Sequence, residues 1–91
     1  EQSRPLDALN RARNKRVIIE LKNGKQFIGK LEAFDIHINA VLQEAEEHVP
    51  EFVEKEVNGK KVMEKTGNMV LKRKLGTLFI RGDTIIFISP Q

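Results

Sequence analysis

Two short segments hold the side chains most capable of chemistry: Asp35-Ile36-His37-Ile38-Asn39 and Ile80-Arg81-Gly82-Asp83. Each lies between runs of strand-forming apolar residues and reads as a tight loop joining two strands. The imidazole of His37 and the guanidinium of Arg81 are flat groups that can stack on a base. Asn39 carries a donor and an acceptor that can read a base edge. Arg81 can also meet phosphate while stacking, a dual role that Lys cannot fill. Unstacked bases held between flat side chains and read at their edges are the usual targets of sequence-specific RNA recognition. The combination points to single-stranded RNA.

The edge chemistry favours uracil. Uracil presents a ring N–H beside carbonyl acceptors, which one Asn amide matches; cytosine presents an acceptor at that ring nitrogen. Stacking contributes about 1–3 kcal/mol per base and tolerates any base, so selectivity must come from the edge. A mismatch leaves buried polar groups unpaired, at roughly 1–3 kcal/mol each. Asn39 can also hold its turn through its own backbone, which is compatible with reading a base. Arg81-Gly82-Asp83 spells a cell-adhesion tripeptide as well, but apolar strands bracket it and nothing suggests secretion.

An enzyme finds little support. The chain has no Cys, and Ser3 and Ser89 sit near its ends without an evident base. Paired carboxylates on a motif and a phosphate-cradling glycine loop are both missing. Asp35, His37 and His48 lack a metal-ligand spacing, so neither metal nor cofactor is expected. His48, beside acidic residues, is expected to be solvent-exposed. A nuclease pairing His37 with a carboxylate is the enzymatic alternative. The other is a ring-shaped protein scaffold with only weak, non-specific RNA binding.

Ninety-one residues, 40% of them apolar, make one small domain with a thin core. Without disulfides, oligomerisation is the remaining way to bury more apolar surface. No apolar run approaches a membrane span and no signal-peptide pattern is seen; a soluble, cytoplasmic protein is expected. The net charge of +3 hides an asymmetry: residues 1–30 carry +5, residues 31–64 carry −6 and residues 65–91 carry +4. Basic ends around an acidic middle suggest a polyanion partner for part of the surface.

The elements that must position the two loops follow from periodicity. Residues 4–13 read as a short helix with Ser3 as N-cap, Pro5 in the first turn and Leu6 and Leu9 on a narrow apolar face. Such a helix cannot stand alone and should lie across an open end of a sheet. Its Arg4, Arg11 and Arg13 read as a solvated face, with RNA contact outside a pore as the alternative. Residues 16–21 form a strand with Val17, Ile19 and Leu21 on one face. Asn23-Gly24 then signals a two-residue hairpin whose positions both accept positive φ. A second strand covers about 25–34, with Phe27, Leu31 and Ala33 on one face and Gly29 marking a bend. A third covers 40 to about 47. Pro50, an acidic run and Asn58-Gly59 make residues 48–68 either an extra hairpin or a mobile charged loop. Strand resumes over 69–80, with Gly76 as a candidate bend, and residues 84–89 end the fold. That last strand is apolar on both faces and is expected at an edge, where a neighbouring subunit would cover it. If each subunit offers it to a different edge of the next, the contact is head-to-tail and generates a ring.

With both loops, the hairpin signal and the basic helix in this order, the chain resembles the Sm and Sm-like (LSm) family, in particular its archaeal type. The first Sm motif corresponds to residues 15–47, including Asn23-Gly24, Gly29 and Asp35-x-His37-x-Asn39. The second corresponds to residues 75–90, within the strands over 69–90, with Ile80-Arg81-Gly82-Asp83 at its centre. The resemblance implies a mostly β domain spanning 1–91: a short N-terminal helix and a strongly bent five-stranded antiparallel barrel, the Sm fold of SH3-like type, with residues 48–68 variable. It implies a homoheptameric ring closed through the fourth and fifth strands, binding uridine-rich single-stranded RNA at the inner pore rim, one base per subunit. By position, His37 and Arg81 match the residues that sandwich a base and Asn39 the one that reads uracil. Asp35 matches the loop's brace, and Gly82 and Asp83 complete the pocket. A role in RNA processing or metabolism, alongside RNA-processing proteins and away from membranes, is implied too. The chain departs from minimal members in its longer middle segment, and regulation through the arginine-glycine tail of some eukaryotic members is not expected.

Overall fold

The computed structural model describes residues 5–91. It contains α1 (Pro5–Arg11), β1 (Arg16–Leu21), β2 (Gln26–Phe34), β3 (Ala40–Val57), β4 (Lys60–Lys74), β5 (Leu78–Ile80), a 3-10 turn (Gly82–Thr84) and β6 (Ile85–Pro90). The expected N-cap Ser3 and the arginine at position 4 lie outside the described residues. All strand pairs are antiparallel, in the order β4-β3-β2-β1-β6, with β5 also on β3. The anticipated fourth strand is therefore two strands: the chain breaks at 75–77, where Ala45 N donates to Gly76 O and Leu75 N donates to Ala45 O. Gly76 marks that bend.

Alternation places Val17 and Ile19 of β1, Phe27 and Leu31 of β2, and Ala40 and Leu42 of β3 in one core, joined by Ala45 and Ile80. Leu9 and Ala12, at and just after the end of α1, pack against this core from one side. The sheet bends where β2 meets β3. The register slips between Ile28 and Lys30, opposite Glu44, whose φ is 51°. Gly29 stands at the slip: a Cβ there would lie 2.9 Å from the Gln43 carbonyl oxygen and 3.1 Å from the Ala45 Cα. Only glycine lets β3 fold this closely over β2, and a bulge opposite a glycine is a usual way to turn a sheet sharply.

The two Asn-Gly pairs make different turns. At Asn58-Gly59 both φ values are positive, 52° and 78°, as the two-residue primed hairpin requires. At Asn23-Gly24 only Gly24 is positive, at 86°. Gly24 N donates to Leu21 O, and the Asn23 side chain accepts from Lys25 N at 3.0 Å. This is a longer loop with a glycine bulge, not the two-residue turn expected, because Asn23 satisfies its own turn through its side chain.

Residues 48–68 are strand, not a mobile loop. β3 runs past the end of its pairing with β2 at His48 and pairs with β4 as far as Val57↔Lys60. The acidic middle of the sequence is thereby divided. β3 carries six Glu and one Lys, and β4 carries six Lys/Arg and one Glu. Cross-strand opposite charges favour this register, as in Lys55–Glu64 at 2.8 Å.

One carboxylate of β3 is buried: Glu47, 2% exposed. Arg73 Nε donates to its Oε1, and Lys25 Nζ stands 3.2 Å from its Oε2. The Arg73 hydrogen bond, against the opposing effect of burial, holds the carboxyl below its ordinary pKa. His48 is not exposed as expected; it is half-buried, with Nε2 3.1 Å from Glu46 Oε1.

Gly29→Ala should destabilise the protein by about 1–3 kcal/mol, read as a lowered thermal midpoint. Gly76→Ala, which meets nothing within 4 Å, should leave the midpoint nearly unchanged. Equal effects at the two positions would contradict the close-approach account of the bend.

Candidate nucleic-acid interface

The loop at 35–39 is built around Asp35. Its Oδ1 accepts from the backbone N–H of His37 at 2.8 Å and of Asn39 at 3.1 Å, and its Oδ2 accepts from Asn39 Nδ2 at 2.9 Å. Ile38 N donates back to Asp35 O. Ile38 adopts φ 61°, a conformation uncommon for a β-branched residue. A carboxylate accepting three N–H groups is stabilised in its charged form. The Asn39 hydrogen bond first, then those to the two backbone groups, holds Asp35 below the ordinary aspartate pKa.

The 81–84 turn docks on this loop through one hydrogen bond: Gly82 N donates to Asn39 Oδ1 at 2.8 Å. The approach is very close, since a Cβ on Gly82 would overlap the His37 carbonyl oxygen at 1.9 Å. Thr84 closes the turn, with both its N–H and its hydroxyl donating to Arg81 O. The Arg81 guanidinium is held by Asp83 Oδ2 at 2.8 Å.

His37, Asn39, Arg81, Gly82 and Asp83 line one open cleft of about 450 Å³. Five of the six residues singled out in the sequence thus share a surface, and the sixth, Asp35, sits behind them as the brace. The Gly82 N–H is engaged by Asn39, so its contribution is to orient that amide. Asn39 keeps a second N–H and a second oxygen lone pair beyond its two internal bonds.

Sequence reasoning missed the apolar hollow beside this cleft. Phe34, Val41, Phe79 and Ile80 are among the residues lining about 360 Å³ there, and Asn39 and Arg81 border both depressions. Phe79 is 77% exposed. The alternation of Leu78-Phe79-Ile80 was the available signal: with Ile80 inward, Phe79 must face out. Arg13 is exposed, and its guanidinium lies 5.3 Å from the centre of the Phe34 ring. Among the described residues no group of three His or carboxylates gathers as a metal site.

The family model described as the LSM domain matches residues 7–90. The chain belongs to the LSM-domain family of Sm-like proteins. It is 44% identical to an snRNP Sm-like protein of Archaeoglobus fulgidus over 87 residues, 96% of this chain and 90% of that one. Among solved structures, it superposes with a TM-score of 0.68 and 35% identity on the Sm protein of Pyrococcus abyssi in complex with a uridine heptamer, covering 98% of this chain and all of that one. A heptameric archaeal Sm protein matches with a TM-score of 0.64 and 30% identity, over 92% and 96% of the two chains. Membership of this family makes the Sm-like chain a binding protein and not an enzyme, which removes the nuclease alternative.

Two outcomes follow from the geometry. Gly82→Ala should separate the loops, seen as faster hydrogen exchange at residue 82 and a shifted Asn39 side-chain amide; unchanged exchange would contradict the docking bond. Asp35 should titrate below the ordinary aspartate range. A group with a depressed folded-state pKa stabilises above its unfolded value and loses that contribution as pH falls through the folded one. The 35–39 loop should therefore hold through mildly acidic pH and loosen only below the usual aspartate range. An NMR-detected inflection at or above the ordinary value would contradict the bracing role.

Proposed function

We propose that copies of this Sm-like chain close into a homoheptameric ring that binds uridine-rich single-stranded RNA, one base per subunit. His37 and Arg81 sandwich the base and Asn39 reads its edge. The observation that carries the reading is the shared cleft, in which two loops far apart in sequence bring two flat groups and an oriented amide together. The uridine heptamer bound by the Pyrococcus abyssi protein supports the ligand class, and the heptameric archaeal Sm protein supports the assembly.

The sheet has two free edges suited to head-to-tail contact. Among the described residues β6 pairs only with β1, and β5 pairs only with β3. Ile86 and Phe87 are exposed on one edge and Phe79 on the other. An uncovered apolar edge is a liability. Pairing β6 of one subunit with the β4–β5 edge of the next would cover both, and repetition of that contact generates a ring. This is the contact expected from the sequence, with the fourth strand now read as β4 and β5 and the fifth as β6. The hollow lined by Phe79 lies against the base cleft, so the same contact would set the spacing between neighbouring clefts.

A ring converts weak pockets into tight binding. Once one uridine is held, each further contact is effectively intramolecular, so one substitution acts in every subunit. A place in RNA processing or metabolism, in the cytoplasm and alongside processing proteins, fits this activity.

Fluorescence anisotropy with oligouridine and oligocytidine tests the proposal. Wild type should prefer oligouridine; Asn39→Ala should lose most of that preference, and Arg81→Ala should weaken binding at least about tenfold, given that stacking alone contributes about 1–3 kcal/mol per base. Unchanged oligouridine affinity in both variants would contradict the pocket assignment. Equal and negligible binding of both oligomers by wild type would favour a protein scaffold.

A further inference from the structure

We infer that the Thr84 hydroxyl is a positioning group for uracil selectivity, acting through the Arg81–Gly82 peptide on the Asn39 amide. Thr84 does not line the base cleft, and its part depends on the proposed reading of the base by Asn39.

Both ends of the Arg81–Gly82 peptide are engaged. Its N–H, on Gly82, donates to Asn39 Oδ1 at 2.8 Å. Its carbonyl oxygen, on Arg81, accepts from Thr84 N at 3.1 Å and from Thr84 Oγ1 at 2.7 Å. The peptide is trans, so N–H and C=O point in opposite directions from one rigid plane. Whatever holds the oxygen therefore aims the N–H.

The plane needs holding because of its neighbour. Residue 82 must be glycine, since a Cβ would overlap the His37 carbonyl oxygen at 1.9 Å. The missing Cβ also removes the steric bar to turning the peptide over, because glycine takes positive and negative φ about equally readily. Turned over, the plane would present the Arg81 oxygen to the Asn39 oxygen, acceptor against acceptor. The amide would then be held only at its nitrogen end, by Asp35. The glycine that permits the close approach creates a freedom that Thr84 takes away.

Thr84 is itself fixed from behind. Its carbonyl oxygen accepts from Lys22 N at 2.9 Å, which ties the turn to the chain leaving β1. A relay of hydrogen bonds runs from Lys22 to Thr84, from Thr84 to the Arg81 oxygen, from the Gly82 N–H to Asn39 and from Asn39 to Asp35. Any residue but proline would supply the N–H at position 84; the hydroxyl needs Thr or Ser. An accepting carbonyl is polarised, which strengthens the N–H at the other end of its peptide. The Arg81 guanidinium has a separate anchor in Asp83 Oδ2 at 2.8 Å. Loss of the hydroxyl should therefore disturb edge reading more than stacking.

The test is selectivity. Fluorescence anisotropy of the full chain gives the ratio of oligouridine to oligocytidine affinity for wild type, Thr84→Val and Thr84→Ser. Valine keeps the shape and the backbone N–H and removes the hydroxyl. In Thr84→Val the ratio should fall at least about threefold, mainly through oligouridine, since one lost hydrogen bond is repeated in every subunit. In Thr84→Ser it should stay near wild type. The Asn39 side-chain amide resonances should move in the first variant and hold in the second. A Thr84→Val protein with its ratio intact, or weakened equally toward both oligomers, would overturn the inference and leave Thr84 a structural part alone. A Thr84→Ser protein as unselective as Thr84→Val would overturn it too. Should Thr84→Val fail to assemble, Thr84→Ala is measured in its place against the same outcomes. Wild type without preference for oligouridine would instead refute the reading of the base on which this one rests.

Discussion

The Asn39 side chain joins the two loops, and the site depends on how its amide is held. On one side stands Asp35, ionised and able only to accept; on the other stands the Gly82 N–H, able only to donate. Those partners allow one orientation of the amide, nitrogen toward Asp35 and oxygen toward Gly82. An Asn free to flip would offer donor and acceptor in either order and could not separate uracil from cytosine. Fixed as it is, the amide keeps one donor and one acceptor in a set order before any ligand arrives, so little ordering remains for binding to impose.

The constraint propagates into the fold. Asn39 can reach Gly82 only because Gly82 lies against the His37 backbone, and Gly82 lies there because Ile80 is buried in the core while β5 pairs with the start of β3. The bend at Gly29 in turn lets β3 curve so that its first residues face β5 and its later ones face β4. A thin core thus holds the loops through three strands, and the apolar surface it cannot enclose is left at the edges, where a neighbouring copy can cover it.

Much of this was legible in the sequence, for physical reasons. Val17, Ile19, Phe27 and Leu31 alternate as a half-buried sheet must, and Gly29 and Gly76 break that alternation where the chain turns. That the six residues of the two loops gather in one place was legible because compact polar groups between apolar strands have few structural reasons to be there. Other features were hidden. Glu47 sits in an acidic run, and nothing local separates a buried carboxylate from its exposed neighbours; its partner Arg73 lies 26 residues away. The same run made residues 48–68 look loop-like, because the complementary cations of β4 become visible only when the strands are placed in register. Asn23-Gly24 and Asn58-Gly59 are identical as dipeptides but differ as turns, since flanking residues decide which hydrogen bonds close. The engagement of the Gly82 N–H by Asn39 is a tertiary fact that no spacing announces.

The Asn39 side-chain amide is itself the most direct probe of the account. Its two Nδ2 protons are resolvable by ¹⁵N-edited NMR, one held by Asp35 and the other facing the cleft. Titration with uridine monophosphate should shift the cleft-facing proton and leave its partner nearly in place, while cytidine monophosphate should shift neither. Equal responses to the two nucleotides, or no response at all, would contradict the claim that a pre-oriented amide reads the base.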